Sequence, residues 1–177
     1  HLFELIAYAR KLNYIDIRMS TNASLLTKET SQSLIDAGIT QLQVSLDAID
    51  EETYYMSRNS RNYKQVVQNI NNFIELRDLS RSSLPMLRIT YVLTPTNKPN
   101  ADKFISQWKN KADLIGLQEL FVFKNVNEGM CEEEDNSSLK DADSTCYMPK
   151  VRLSIKSDGT VRPCCTVPGM ALNVGNA

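Results

Sequence analysis

From Leu2 to Thr94 the apolar positions alternate between two periods. Leu2, Leu5, Ile6, Ala9 and Leu12 recur at helical spacing, so residues 1–12 read as a helix with one buried stripe. Ile15, Ile17 and Met19 then alternate with Asp16, Arg18 and Ser20, the period of a strand. Thr27 is placed to cap a helix that runs to Ala37, and Gly38 is the expected stop. Leu42, Val44 and Leu46 alternate with Gln41, Gln43, Ser45 and Asp47 in a second strand. Tyr63, Val66, Val67, Ile70, Phe73 and Ile74 stripe a long helix ending near Asp78, and a third strand fills 86–94 between Pro85 and Pro95. Phe104, Ile105 and Trp108 mark a helix at 98–112, and 117–123 reads as a fourth strand. Strands separated by helices predict an α/β fold with βαβ units and a parallel sheet. A sheet of this kind normally begins with a strand, so a first element is expected ahead of His1.

The strands are apolar on one side only. Strands covered on both faces read as continuous apolar runs, whereas Asp16, Arg18, Ser20 and Asn22, then Gln41, Gln43, Ser45 and Asp47, and more weakly Arg88, Thr90 and Thr94, give each strand a polar side. In a (β/α) barrel that side is the lumen, with the working groups at the C-terminal strand ends. An open antiparallel sheet with a solvated face is the alternative, which the intervening helices disfavour. The strand ends carry Ser20-Thr21-Asn22, Ser45-Leu46-Asp47-Ala48 and Leu93-Thr94, groups suited to ribose hydroxyls or an amino-acid moiety. The single histidine is His1, which leaves no Ser-His or Cys-His relay, and no phosphate-cradling glycine motif is present.

Composition narrows this picture. The 177 residues are 42% hydrophobic and 23% charged, with 20 Lys+Arg against 21 Asp+Glu and a formal net charge of −1. There is no basic footprint for nucleic acid, no apolar run that spans a membrane and no secretory leader at the start, so a cytoplasmic setting is expected. Residues 127–145 include Glu132-Glu133-Glu134-Asp135 and read as an acidic connector between a first domain at 1–126 and a module at 146–177. In the module, Val151, Leu153 and Ile155 alternate with Arg152, Ser154 and Lys156, Ser157-Asp158-Gly159-Thr160 is a hairpin turn, and Val161–Cys165 returns. All four cysteines, Cys131, Cys146, Cys164 and Cys165, lie late in the chain. They allow disulfides, a zinc site, buried free thiols or an iron–sulfur cluster. Zinc would usually show C-x-x-C knuckles, which are absent. The hairpin brings Cys146 and Cys164 towards one end of its ladder, while adjacent Cys164 and Cys165 point to opposite faces of a strand.

The stretch Ser20-Thr21-Asn22-Ala23, then Val44-Ser45-Leu46-Asp47-Ala48, then the V-x-x-N-I of Val66 to Ile70, resembles the middle of the radical S-adenosylmethionine (SAM) enzymes. Cys146, twelve residues, Gly159, four residues and Cys164 resemble C-x(9–15)-G-x4-C, the opening signature of the SPASM extension in that superfamily. The resemblance implies a partial (β/α)6 barrel of which the later strands are present, followed by the first part of a SPASM-like auxiliary-cluster domain. It implies SAM and 4Fe-4S clusters as cofactors, an electron donor such as flavodoxin or ferredoxin, and a peptide, protein or small-molecule substrate from which a 5′-deoxyadenosyl radical takes a hydrogen atom. By resemblance, Ser45 and Asp47 lie near the ribose or methionine moiety of SAM, Thr21 and Asn22 contribute to the same pocket, and Arg58 pairs with the SAM carboxylate. Cys146 and Cys164, with Cys165, would hold an auxiliary cluster. Each residue also has a plainer role open to it: Asn22 in a turn, Asp47 as a cap for 50–56, Arg58 at the surface.

The family's C-x3-C-x2-C loop, its G-G-E strand and the later SPASM cysteines do not occur in these residues, so the chain is expected to be an interior piece of a longer enzyme and inactive by itself. The competing expectation is a non-catalytic α/β domain that binds zinc, an iron–sulfur cluster or a partner. An aldolase-like barrel would need a lysine or histidine at the polar strand positions, and none stands there.

Overall fold

The computed structural model describes residues 1–120, 150–163 and 173–176. The chain divides into two compact units, His1–Glu132 and Glu133–Ala177. In the first, α1 (Leu2–Lys11), β1 (Arg18–Thr21), α2 (Lys28–Ala37), β2 (Gln41–Ser45), α3 (Glu51–Arg58), α4 (Tyr63–Leu79), β3 (Met86–Leu93), α5 (Ala101–Trp108) and β4 (Leu114–Glu119) follow one another. The four strands form one parallel sheet in the order β1-β2-β3-β4. The expected α/β architecture is therefore present, and the antiparallel alternative is excluded.

Local chemistry sets the helix ends. Thr27 accepts the Thr30 N–H at 3.2 Å, and Gly38 closes α2 at φ +87°, a left-handed position where glycine carries no steric penalty. A Cβ at Gly38 would lie 2.9 Å from Cγ of Arg10. Helix α3 begins at Asp50, whose carboxylate accepts the Thr53 N–H at 2.8 Å in a reciprocal capping box. Asp47 is thus not the cap of this segment.

Element limits shift from the sequence expectation for identifiable reasons. Strand β1 starts at Arg18 rather than Ile15, which is 89% exposed. A strand needs a ladder partner, and β2 supplies its first at Gln41, opposite Arg18. The preceding residues finish α1 instead: the Tyr14 N–H donates to the Ala9 carbonyl at 3.1 Å, and Asn13 takes φ +62°. Strand β4 begins three residues early, at Leu114, because β3 already presents Arg88 to it. The expected 98–112 helix is a short 3-10 turn, Lys98–Asn100, followed by α5.

The core lies on one face of the sheet. Leu42, Val44 and Leu46, then Leu87, Ile89 and Tyr91, meet Leu34 of α2, Val66, Ile70 and Phe73 of α4, and Phe104 and Trp108 of α5. Each of these is fully buried, contributing about 1.5–3 kcal/mol for a large side chain. Tyr91 and Phe104 rings pack 4.4 Å apart. At the N-terminal side of the strands, Asp113 accepts from Nη1 of Arg77 at 2.5 Å and from the Leu87 N–H at 2.6 Å, tying α4 to β3. Thr40 binds the Ile17 N–H at 2.8 Å and secures the entry to β1.

In the second unit β5 (Ser154–Ile155), β6 (Thr160–Arg162) and β7 (Gly175–Asn176) form a small antiparallel sheet in that order. The turn is the expected one. The Gly159 N–H donates to the Lys156 carbonyl at 3.0 Å, Gly159 sits at φ +81°, and Asp158 accepts the Thr160 N–H at 2.9 Å. That N–H, the Thr160 hydroxyl and Lys156 hold the Asp158 carboxyl down to about 2.

Candidate functional site

Helices cover one face of the parallel sheet, and the opposite face carries its polar residues. Register aligns Ser20, Gln43, Arg88 and Leu114 in one row, and Ser45, Thr90 and Gly116 in the next. Ser45 and Thr90 place their hydroxyls 3.4 Å apart. Thr90 donates to the Val44 carbonyl at 3.2 Å, so Ser45 is the donor between them and keeps its oxygen lone pairs for a hydroxyl or amine arriving from the open side.

Asp47 follows at the end of β2 in the left-handed region, φ +54°, and is only 7% exposed. Aspartate tolerates that conformation better than most residues. The turn directs its carboxylate sideways to β3, where Oδ1 accepts the Val92 N–H at 2.7 Å. Oδ2 pairs with Nη2 of Arg58 at the end of α3. Arg58 therefore stands beside the strand ends, with one edge of its guanidinium already given to Asp47.

Thr21 and Asn22 are used differently. Thr21 shares a row with Val44, Ile89 and Ile115, the helix-covered face, and its Oγ1 accepts the Ala23 N–H at 3.1 Å. Asn22 is exposed, and its Oδ1 accepts the N–H and hydroxyl of Ser24 at 3.0 and 2.7 Å. Both shape the loop after β1, with Ala23 at φ +59°. The structure thus gathers Ser45, Asp47 and Arg58 around the ends of β2 and β3, and leaves Thr21 and Asn22 holding the adjoining loop.

Two residues matter more than their sequence context suggested. Asn69, the N of V-x-x-N-I, is buried and donates to the Ala23 carbonyl at 2.8 Å and the Ser24 carbonyl at 3.3 Å, pinning that loop to α4. Its signal was an amide on the buried stripe of a helix. Asn97 performs the equivalent task after β3, accepting the Thr94 N–H at 2.8 Å and donating to the Val92 carbonyl at 2.9 Å. Tyr91 donates to the Asn97 carbonyl at 2.9 Å, and burial raises its hydroxyl above the ordinary range.

Among the described residues no group of three or more His, Cys, Asp or Glu side chains could hold a metal ion. Cys131, Cys146, Cys164 and Cys165 lie outside the described residues. No described helix is long and apolar enough to cross a membrane.

The sequence profile of the radical SAM superfamily matches residues 1–91. The chain belongs to the radical SAM superfamily. Among similar curated proteins, a probable GTP 3′,8-cyclase of Saccharolobus islandicus is 25% identical over 154 residues, covering 86% of this chain and 46% of the relative. A protein of the same name from Saccharolobus solfataricus is 23% identical over the same length. A GTP 3′,8-cyclase of Staphylococcus haemolyticus is 46% identical over 65 residues, 36% of this chain and 18% of the relative. The chain spans about half the length of the curated relatives that it matches along most of its own length. Radical SAM membership implies SAM and a [4Fe–4S] cluster as cofactors. The sheet face opposite the helices fits the first: Ser45, oriented by the buried Thr90, offers a hydroxyl at the strand ends where the fold places a ligand.

Proposed function

We propose that this chain belongs to a radical SAM oxidoreductase or maturase that abstracts a hydrogen atom from its substrate and carries an auxiliary 4Fe-4S cluster in its tail. The observation that carries the proposal is the polar pair Ser45 and Thr90 at the C-terminal ends of β2 and β3, on the sheet face opposite the helices, in a chain whose first half matches the superfamily. When bound, SAM and a reduced [4Fe–4S] cluster supply the 5′-deoxyadenosyl radical. Ser45 accepts from a ribose hydroxyl or the amino group, and Thr90 fixes the Ser45 rotamer. Asp47 and Arg58 hold the end of β2 against β3, and Arg58 keeps N–H donors for a carboxylate. Thr21, Asn22 and Asn69 maintain the loop beside them.

The auxiliary cluster is supported by the hairpin. The glycine of C-x(9–15)-G-x4-C falls on Gly159 at φ +81°, a position that requires glycine in the β5–β6 turn between Cys146 and Cys164. Cys146 and Cys164 with Cys165 are the proposed ligands, flavodoxin or ferredoxin the class of electron donor, and the cytoplasm the setting. Because the chain has no C-x3-C-x2-C loop, these 177 residues alone should not cleave SAM. The relatives' name, GTP 3′,8-cyclase, favours a second version in which the substrate is GTP; a calorimetric titration with GTP, bound or not bound by the chain, separates the two.

Anaerobic reconstitution tests the tail. Iron and sulfide with absorbance near 400 nm, lost in Cys146→Ala and Cys164→Ala, are expected; a colourless zinc-loaded protein would favour the non-catalytic alternative. For the sheet face, Ser45→Ala should weaken SAM binding by about 2- to 10-fold, the worth of one neutral hydrogen bond. Unchanged SAM affinity would remove Ser45 from the site.

A further inference from the structure

The polar face of the sheet holds an arginine without a partner among the described residues. Arg88, the third residue of β3, stands in register between Gln43 and Leu114. Its guanidinium lies across β4 at Gly116, where a Cβ would sit 2.7 Å from Nη2 and 3.1 Å from Nε. Gly116 is the position that lets the planar group lie flat against the sheet. The Nε–H is buried and donates to nothing among the described residues.

The nearby carboxylates and the Thr90 hydroxyl are committed elsewhere. The Thr90 hydroxyl is engaged with Val44 and Ser45. Asp47 serves Arg58 and the Val92 N–H, and Asp16 serves Arg18 and Thr40. No acidic residue occupies a strand position on this face: the β2, β3 and β4 residues there are Gln41, Gln43, Ser45, Met86, Arg88, Thr90, Val92, Leu114, Gly116 and Gln118. A partly buried guanidinium whose Nε–H is left unsatisfied is costly unless an anion satisfies it. The arrangement is charge-selective as well, since among the described residues Arg18 and Arg58 have counter-ions and Arg88 does not.

We infer that Arg88 is a specificity-determining residue that receives an oxyanion of the substrate, a carboxylate or a phosphate, in a forked pair. The word substrate rests on the proposed function; the anion site itself does not.

The Nε–Hε resonance of Arg88 in the full chain reports on it directly. Sodium pyrophosphate and disodium glutarate are titrated separately at constant ionic strength, with sodium chloride as the control. One of the two should move the resonance saturably while chloride does not, pyrophosphate identifying a phosphate and glutarate a carboxylate. Arg88→Gln should weaken that oxyanion, followed by calorimetry, by about 10- to 100-fold, the range for a charge-assisted fork. Arg88→Lys, which keeps the charge without the fork, should retain part of the affinity. Gly116→Ala leaves Arg88 in place and displaces its guanidinium, so it should weaken binding even if Arg88→Gln folds poorly. Neither oxyanion exceeding chloride, or Arg88→Gln matching the native affinity, would overturn the inference. A parallel SAM titration watched at the Ser45 amide separates the two ideas: no response there counts against the proposed function and leaves the Arg88 result standing.

Discussion

Asn69 makes a sharp quantitative test, because its two faces of chemistry can be removed separately. Its amide donates to the carbonyls of Ala23, at 2.8 Å, and Ser24, at 3.3 Å, while its own Oδ1 accepts from Gln65 at 3.2 Å on the same helix. The side chain is 2% exposed and Ala23 fully buried. Truncation to alanine removes one good bond worth about 1–1.5 kcal/mol and one long bond worth about 0.5 kcal/mol. The Ala23 carbonyl keeps the Leu26 N–H at 3.2 Å, so the full penalty for an orphaned acceptor does not apply. With a small cavity term the loss should total about 2–3 kcal/mol. Asn69→Asp is nearly isosteric yet should cost more, since it opposes a carboxylate to two carbonyl oxygens and has no proton to give. Protonation restores a donor, so the folded-state pKa of that aspartate lies above its unfolded value. The variant's deficit should therefore shrink as the pH falls through the folded value towards the unfolded one. Urea unfolding followed by circular dichroism at pH 7 and at pH 4 measures all of this, with hydrogen exchange at the Leu26 amide as a local readout. An Asn69→Ala loss under 0.5 kcal/mol, or an Asp variant more stable than the Ala variant at pH 7, would refute the reasoning.

Asp113→Ala should destabilise by about 2–3 kcal/mol in the same assay, because it strands the Leu87 N–H and leaves Arg77 with Asp78 as its remaining carboxylate; Asp113→Asn, whose carbonyl oxygen can replace Oδ2 in both bonds without the charge, should lose less. The Asp158 carboxyl is held down to about 2 by the Thr160 N–H, the Thr160 hydroxyl and Lys156. A depressed folded value means that the turn's support is complete above the ordinary carboxylate range and is lost as the pH falls towards about 2. The Thr160 amide shift should report that midpoint, and a midpoint near 4 would contradict the hairpin geometry. Asp47→Asn should keep the Val92 contact and the left-handed turn while losing the charge pairing with Arg58. It should cost about 1–2 kcal/mol, and Asp47→Ala at least 1 kcal/mol more, by thermal unfolding.

Period and capping chemistry carried most of the first unit. The alternation of Leu42, Val44 and Leu46 against Gln43 and Ser45 set both the strand and its buried side, and Thr27 with Gly38 set the ends of α2, because these are local decisions. Strand limits were not local. Ile15 and Ile17 alternate correctly, but Ile15 has no ladder partner, and only the register with Gln41 decides where β1 begins. The candidate site divided in the same way. Ser45 was legible as a polar position at a strand end. The pairing of Asp47 with Arg58 was not, since it depends on a positive φ at Asp47 that redirects the carboxylate. Thr21 shows the cost of a one-residue step: counted with Ser20 and Asn22 as a strand-end group, it lies on the opposite face from Ser20.

These structural commitments bear on where specificity resides. The polar side chains expected from resemblance to contact SAM also hold the strand ends together: Asp47 joins β2 to β3, and Thr21 and Asn22 shape the loop after β1, which Asn69 of α4 anchors. Groups with two duties can vary little without loosening the fold, so they are poorly placed to distinguish one substrate from another. Arg88 has no such duty among the described residues. Its removal would break no hydrogen bond and no ion pair within the described sheet. A cation held in a partly buried position without a stabilising partner is a net cost to the folded chain, and such a cost is retained when something outside the chain relieves it. Discrimination among substrates should therefore be sought along the Ser20, Gln43 and Arg88 row, deeper in the sheet than the Ser45 hydroxyl proposed to meet the cofactor.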